Sequence, residues 1–425
     1  MKNIKHIFLN EVTDQIKSKE AKKFVAVELG YHLKETKKIW IEKGLSESEA
    51  EIKAVEQMGS PVKLGQQLNK LHRPKVDWLL VILFVTTLGL GFLPMFSLGY
   101  MNERHFPTFK IIIAIISGTA ALGIMMIDYR KWRKRGWVFY AIGMLILLLL
   151  RFFSNTTVNG LPLLRIPPIT IESLMAVPFF FLGWASFLSN VRLKVWQFGI
   201  LLLIPLFFFL ALPSVSNAYI YTVMVFVMLW WSTFSRKIVL FIWAFSFSSF
   251  LLLGVISWNT LNDYQLVRFL AFLNPEKYYD GAGYLILRAK DLLSKAGWFG
   301  NHMDNQVFIP EAHTNFVFVS FTYYYGWLFA IALVVILFLF VARIIVVMYK
   351  IKDPFGKLLL IGAVALYAVQ LATNVGMSLG LVPLITMSLP FISYGLMPTL
   401  LNAILIGVVL SVYRRKDITS NQGFV

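Results

Sequence analysis

From Trp78 onward the chain alternates long apolar runs with short charged or turn-rich pieces, and runs such as Trp78 to Phe96, Val138 to Leu150 and Val239 to Ile256 contain no charged side chain. A run of ~20 apolar residues rising 1.5 Å per residue matches the ~30 Å hydrocarbon core of a bilayer, so each run predicts a membrane-spanning helix. Ten spans are predicted, at about 78–97, 109–127, 137–153, 171–189, 195–212, 216–232, 238–258, 316–342, 358–384 and 390–412. A transmembrane β-barrel would need segments of about ten residues of alternating polarity, and none is visible. The predicted fold class is therefore all-α: a polytopic membrane protein of about ten transmembrane helices.

Residues 1–75 follow another rule. They are rich in Lys and Glu, and apolar residues recur at helical spacing, as in Phe24, Val27, Leu29 and Leu33, then Ile52, Val55 and Met58. Ser46 followed by Glu49 has capping-box spacing, and Gly59-Ser60-Pro61 ends the helix they begin. A secretory signal peptide is not expected, because the first long apolar run starts only near Trp78. The stretch from Val27-Glu28-Leu29-Gly30 through Gly44-Leu45-Ser46 to Gln57-Met58-Gly59-Ser60-Pro61 resembles the permease-prefix type of helical domain. Its role reads equally as a cytoplasmic docking module or a solvated stabilising cap. The predicted organisation is a cytoplasmic helical domain over 1–75, a membrane domain over 76–416 with a large outer loop at 259–315, and a cytoplasmic tail over 417–425.

Composition supports the membrane reading: 58% of the 425 residues are hydrophobic and 15% charged, more apolar surface than a soluble globule could bury. The net charge of +18 raises the question of a nucleic-acid partner, and its location answers it. Basic residues of the membrane part cluster in alternate connections: Arg130, Lys131, Arg133, Lys134 and Arg135; Arg192 and Lys194; Arg236 and Lys237; Arg343, Lys350, Lys352 and Lys357; Arg414, Arg415 and Lys416. That is the positive-inside pattern, with membrane lipid headgroups as the neighbours of these charges. No aromatic-interleaved basic patch calls for DNA or RNA. With an even number of spans both termini lie inside, and the loops near 98–108, 154–170 and 259–315 lie outside. The absence of cysteine removes disulfides from those loops.

The outer loop at 259–315 is too long and too ordered in its residue types to read as a passive connection. It carries Arg268, Asn274-Pro275, Gly283-Tyr284 and Gly297-Trp298-Phe299-Gly300, then Pro310-Glu311-Ala312-His313-Thr314-Asn315-Phe316 at the mouth of the next helix. A second signature follows: Gln370, Asn374, Gly376, Gly380-Leu381-Val382-Pro383 and Leu389-Pro390-Phe391-Ile392-Ser393-Tyr394-Gly395. Together these motifs are similar to those of the SEDS family, the shape, elongation, division and sporulation proteins. The resemblance covers about 78–416 and excludes the N-terminal domain.

The resemblance implies a membrane protein of the bacterial cytoplasmic membrane that polymerises lipid II, an undecaprenyl-linked disaccharide-pentapeptide, on the outer face. It also implies a class B penicillin-binding protein as partner. It assigns catalytic positions to Glu311, His313 and Asn315 and substrate-binding positions to Arg268, toward the pyrophosphate, and to Thr314, Gln370, Asn374, Ser393 and Tyr394. Lipid II flipping is a rival activity, and a non-catalytic scaffold or regulator of the penicillin-binding protein is another.

Polymerisation requires a base near the attacking sugar hydroxyl and positive charge near the departing pyrophosphate. Where the family carries Asp in His-Thr-Asp-Phe, this chain has Asn315. An amide nitrogen is conjugated with its carbonyl and has no useful basicity, so Asn315 cannot act as a general base, although it can still hydrogen-bond a hydroxyl. Glu311 or His313 could replace it only from within hydrogen-bond reach, and one helical turn displaces a side chain by about 5 Å. The second signature departs too: Pro383-Leu384-Ile385-Thr386 and Tyr394-Gly395-Leu396-Met397-Pro398 stand where the family has smaller or hydroxylated residues. Plainer readings compete. Arg268 could be a solvated charge, Glu311 and His313 could satisfy free N–H groups at a helix entrance, Pro383 and Pro390 could merely break a helix, and Tyr323, Tyr324, Tyr325 and Trp327 could pack in the bundle. None of the six histidines shows His-x-x-x-His spacing. A divalent cation held by Asp304, Glu311 and His313 through a substrate pyrophosphate is the one weak metal signal.

Overall fold

The computed structural model describes residues 4–98, 101, 105–158, 160–167, 169–190, 192–258, 267, 270–281, 283–301 and 311–418. Two compact units divide the chain: Met1–Asp77 with Tyr413–Val425, and Trp78–Val412.

The first unit contains four helices, α1 (Ile4–Asp14), α2 (Lys19–Glu42), α3 (Glu47–Gln57) and α4 (Pro61–His72). Ser46 begins α3 with a full capping box: its Oγ accepts from Glu49 N, and the Glu49 carboxylate accepts from Ser46 N. Gly59 adopts φ +73° and Pro61 occupies the first turn of α4, so the chain turns where the punctuation said it would. The buried face of α2 is Ala21, Val25, Leu29 and Leu33, at four-residue steps, packed on Phe8, Val12 and Ala54. Val27, expected on that face, is 74% exposed. Two residues from Val25 is about 200° around the helix, and the four-residue stripe prevails.

In the second unit ten apolar helical segments occupy the ten predicted positions among the described residues. They are α5 with α6 (Trp78–Leu90, Pro94–Ser97), α7 (His105–Met126), α8 (Gly136–Phe153), α9 (Val177–Leu188), α10 (Val195–Ala211), α11 (Val215–Trp230), α12 (Arg236–Trp258), then, beyond the amphipathic α13 (Tyr284–Lys295), α14 (Val317–Tyr349), α15 (Pro354–Ser378) and α16 (Leu396–Arg414). The chain is a polytopic all-α membrane protein. Its α8–α11 quarter is joined by aromatic packing and buried hydroxyls: Trp184 Nε1 donates to Tyr221 Oη at 3.0 Å, and Tyr140 Oη donates to Leu201 O at 3.1 Å.

Three boundaries differ from the sequence reading. The connection near 154–170 contains a small antiparallel sheet, β1 (Thr156–Val158), β2 (Leu161–Ile166) and β3 (Ile169–Ile171), in sequential order. Its β-branched residues favour strands, and Gly160 at φ +78° makes the first hairpin turn. The span predicted from 171 therefore starts as a helix only at Val177, after a 3-10 turn at Ser173–Ala176. Residues 380–395, assigned in part to two spans, form no helix, because Gly380 and Phe391 both adopt left-handed φ (+72° and +64°) and Pro383 and Pro390 interrupt the backbone ladder.

Candidate functional site

The outer-loop motif and the second signature, separated by some sixty residues in the chain, meet as backbone against side chain. Three successive carbonyls are held from the second segment: His313 O accepts from Tyr394 N at 2.7 Å, Thr314 O from Ser393 Oγ at 2.6 Å, and Asn315 O from Asn374 Nδ2 at 2.9 Å. Ser393 is 1% exposed and Asn374 fully buried, so neither bond is shared with solvent. Asn374 Nδ2 also donates to Met387 O at 2.6 Å. Its Oδ1 is a buried acceptor with no hydrogen bond among the described residues, the kind of atom that a bound donor would satisfy.

The loop that supplies Ser393 and Tyr394 is itself closed. Ser393 N donates to Leu389 O at 3.1 Å, Leu389 N donates to Ser393 Oγ at 2.8 Å, and Phe391 between them takes the left-handed conformation. Three carbonyls of that turn, of Phe391, Ile392 and Ser393, converge on Lys110 Nζ at 3.3–3.4 Å. Lys110 comes from α7, is fully buried, and balances the carbonyl dipoles. Sequence reasoning passed over it, because a lone lysine at the edge of an apolar span reads as an interfacial charge.

On the other side of the motif, Glu311 takes φ +50°, unusual for a residue with a Cβ. Its carbonyl accepts from Thr314 N at 3.0 Å, Phe316 N at 3.1 Å and Thr314 Oγ1 at 3.3 Å, which folds 311–316 into a compact turn before α14. Its carboxylate accepts a hydrogen bond from Asn315 Nδ2. The two side chains thus meet although they sit four residues apart in a turn. His313 is flanked by Tyr394 and by Phe106 of α7, at ring distances of 5.8 and 6.2 Å. Partial burial lowers the His313 imidazole below its ordinary value, and the Glu311 charge opposes that shift.

Beneath the turn, Ala312 and Phe316 join a buried cluster with Ala289, Leu292 and Leu293 of α13 and Val319, Tyr323 and Tyr324 of α14. Tyr325 and Trp327 pack against the same cluster. The Gly297-Trp298-Phe299-Gly300 motif lies across a break in α14 at Gly326: Trp327 N donates to Gly297 O at 3.1 Å and Asn301 N to Tyr323 O at 2.9 Å. A Cβ on Gly300 or Gly326 would sit 2.3 Å from the opposite backbone, so both positions require glycine.

Of the sequence-predicted site residues, Glu311, His313, Thr314, Asn315, Asn374, Ser393 and Tyr394 are brought together. Gln370 is not. It lies one turn along α15 from Asn374, and its amide is engaged by Leu366 O at 2.7 Å and by reciprocal bonds with Asn402 of α16, the shorter at 3.1 Å. Its side chain joins two helices, as buried amides do in membrane bundles. Arg268 and Asp304 lie outside the described residues. Among the described residues no group of three or more His, Cys, Asp or Glu side chains is placed to hold a metal ion.

Fold and site together define a multi-helix membrane protein in which the turn before α14 is fixed by the α15–α16 connection. The chain belongs to the FTSW_RODA_SPOVE family, described as cell cycle proteins, whose pattern matches residues 77–418. It is 24% identical over 359 residues to the "Probable peptidoglycan glycosyltransferase FtsW" of Trichlorobacter lovleyi, covering 79% of this chain and 92% of that protein. It is 23% identical over 424 residues to the "Peptidoglycan glycosyltransferase RodA" of Treponema pallidum, covering 80% and 98%. Among solved structures it resembles a chain from work on "Structural coordination of polymerization and crosslinking by a peptidoglycan synthase complex", with TM-score 0.71, 22% identity and coverage of 80% and 98%. It also resembles the rod shape determining protein RodA of Thermus thermophilus, with TM-score 0.55, 19% identity and coverage of 80% and 97%.

Proposed function

We propose that this protein binds lipid II at the outer leaflet of a bacterial cytoplasmic membrane, at a site of glycosyltransferase type whose general base has been lost. On this reading it acts beside a class B penicillin-binding protein as a scaffold or regulator, with both termini in the cytoplasm. The observation that carries the proposal is the state of Asn315. Its backbone is held by Asn374 as an intact site would require, while its side chain is an amide that donates to Glu311 and cannot take a proton from a sugar hydroxyl. Binding needs donors and acceptors, which the site retains in the Asn315 amide, the Glu311 carboxylate and the buried Asn374 Oδ1. Catalysis needs the base as well.

A second reading rests on the same contact. Because the Glu311 carboxylate reaches the Asn315 amide, it stands within hydrogen-bond range of the place where the family's carboxylate is expected, and Glu311 could serve as base from there. A flippase gains no comparable support. Its substrate would need a polar path through the spans, and no observation at this site points to one.

Saturable binding of lipid II to the purified full-length protein in detergent or nanodiscs tests the proposal, with undecaprenyl phosphate as the control for simple lipid uptake. The expected result is preference for lipid II, weakened by Asn374→Ala. Equal uptake of both lipids would contradict it.

A further inference from the structure

The four-helix N-terminal unit has no assigned role, and it is not closed on itself. The last described residues, Tyr413 to Ile418, group with it. Arg415 is 1% exposed, and its guanidinium forks onto the Glu20 carboxylate in the first turn of α2, with Nε to Oε2 at 2.8 Å and Nη2 to Oε1 at 2.9 Å. Asp417 pairs with Lys75 at 2.8 Å, its backbone carbonyl lies 2.6 Å from His72 Nδ1, and Lys75 N donates to Arg414 O at 3.4 Å. Ile418 is buried behind these bonds. A six-residue segment is thus bound through a two-pronged charge pair, a reversed second pair, two backbone carbonyls and an apolar anchor. Those are the ingredients of sequence-specific peptide recognition and not of incidental packing.

We propose that the N-terminal unit is a receptor for the protein's own C-terminal segment, Tyr413–Ile418, with Glu20 reading Arg415 as its principal determinant. The chain passes between the two units twice, after Asp77 and after Val412, so this latch fastens the end of the last helix to the residues preceding the first span. The alternation of charge gives the latch its direction. Glu20 meets Arg415 and Lys75 meets Asp417, so a segment with either sign reversed would place like charges together. An apolar side chain at Arg415 would keep the burial and lose the selectivity. Lysine there would keep the charge and lose the two-pronged fit, because one ammonium cannot present two parallel N–H donors in a plane.

Amide hydrogen exchange of the full-length protein in nanodiscs tests the proposal, read on peptides covering residues 408–418 and on peptides from α1 to α3. In the wild type the 414–418 amides are expected to be protected. Glu20→Arg should speed their exchange by roughly tenfold or more, and Glu20→Arg combined with Arg415→Glu should restore much of the protection. Peptides from α1 to α3 should keep their rates throughout, since the Phe8, Val12, Val25 and Leu29 core does not include the pair. Exchange at 414–418 as fast as in a free peptide in the wild type would overturn the proposal. So would a single Glu20→Arg rate equal to wild type, or a double variant no better than the single.

Discussion

At the scale of single residues, the site is defined by what each polar atom has already been given to do. The carbonyls of His313, Thr314 and Asn315 are occupied by Tyr394 N, Ser393 Oγ and Asn374 Nδ2, which fixes the backbone of the motif. His313 follows from its surroundings: burial disfavours the imidazolium more than Glu311 favours it, so its titration midpoint lies below the ordinary 6.5. The neutral imidazole is the form the fold prefers. Its contribution to stability is complete above pH 6.5 and is lost as pH falls from there through the lower folded value. An NMR titration of labelled histidines should show the His313 imidazole, identified by its loss in His313→Gln, titrating below 6.5; a midpoint at or above 6.5 would contradict the burial argument. The motif residues that form the turn were legible in the sequence because their order is distinctive. Lys110 was not, since a charge at the edge of an apolar span normally reads as an interfacial residue, and only the convergence of three carbonyls on its Nζ reveals it. Gln370 misled in the opposite direction: it sits in the right signature, but its amide is engaged by Leu366 and Asn402.

At the scale of elements, hydropathy and helix punctuation located nearly everything that follows a regular period. Each predicted span has its helix, and the Ser46 box and the Gly59-Ser60-Pro61 stop of the N-terminal unit stand where expected. What periodicity could not show is where an apolar run stops being helical. The 380–395 segment is apolar enough to count as membrane, yet Gly380, Pro383, Pro390 and Phe391 turn it into an irregular loop, buried over Leu389–Ser393 while Leu381 is 70% exposed. The β1–β3 sheet was missed for a related reason, since three- and six-residue strands carry too little pattern to register. The crossing of the 297–300 motif over the α14 break is a close backbone-to-backbone contact. Gly300→Ala would push a Cβ into Tyr324 O, and the same holds for Gly326→Ala against Trp298 O. Either change should cost roughly 2–4 kcal/mol, through backbone displacement and a disfavoured φ. Thermal unfolding in detergent should register it as a marked fall in midpoint, whereas Gly281→Ala, where a Cβ meets nothing within 4 Å, should fall far less. Equal effects at 281 and 300 would contradict the close-approach account.

At the scale of the whole molecule, the chain has its family's membrane fold, and the proposed function turns on one residue of it, Asn315. The membrane unit carries the helices of the family to which the chain belongs, and its own clasp ties the 313–315 carbonyls to Asn374, Ser393 and Tyr394. On the proposed reading, an amide stands at 315 where a carboxylate would do the chemistry. The clasp buries a lysine and two polar side chains, Lys110, Asn374 and Ser393, which is costly in an apolar bundle unless their bonds hold the turn in place. The sequence could reveal the exchange at Asn315 but not whether a neighbour compensates, because that depends on a contact between side chains four residues apart in a non-helical turn. Contact between Asn315 and Glu311 makes the question sharp. The most direct measurement is glycan-strand formation from labelled lipid II by the purified full-length protein with a cognate class B penicillin-binding protein, comparing wild type, Asn315→Asp and Glu311→Gln. The account predicts no polymer from the wild type and polymer from Asn315→Asp. Polymer from the wild type that disappears in Glu311→Gln would contradict it and assign the base to Glu311.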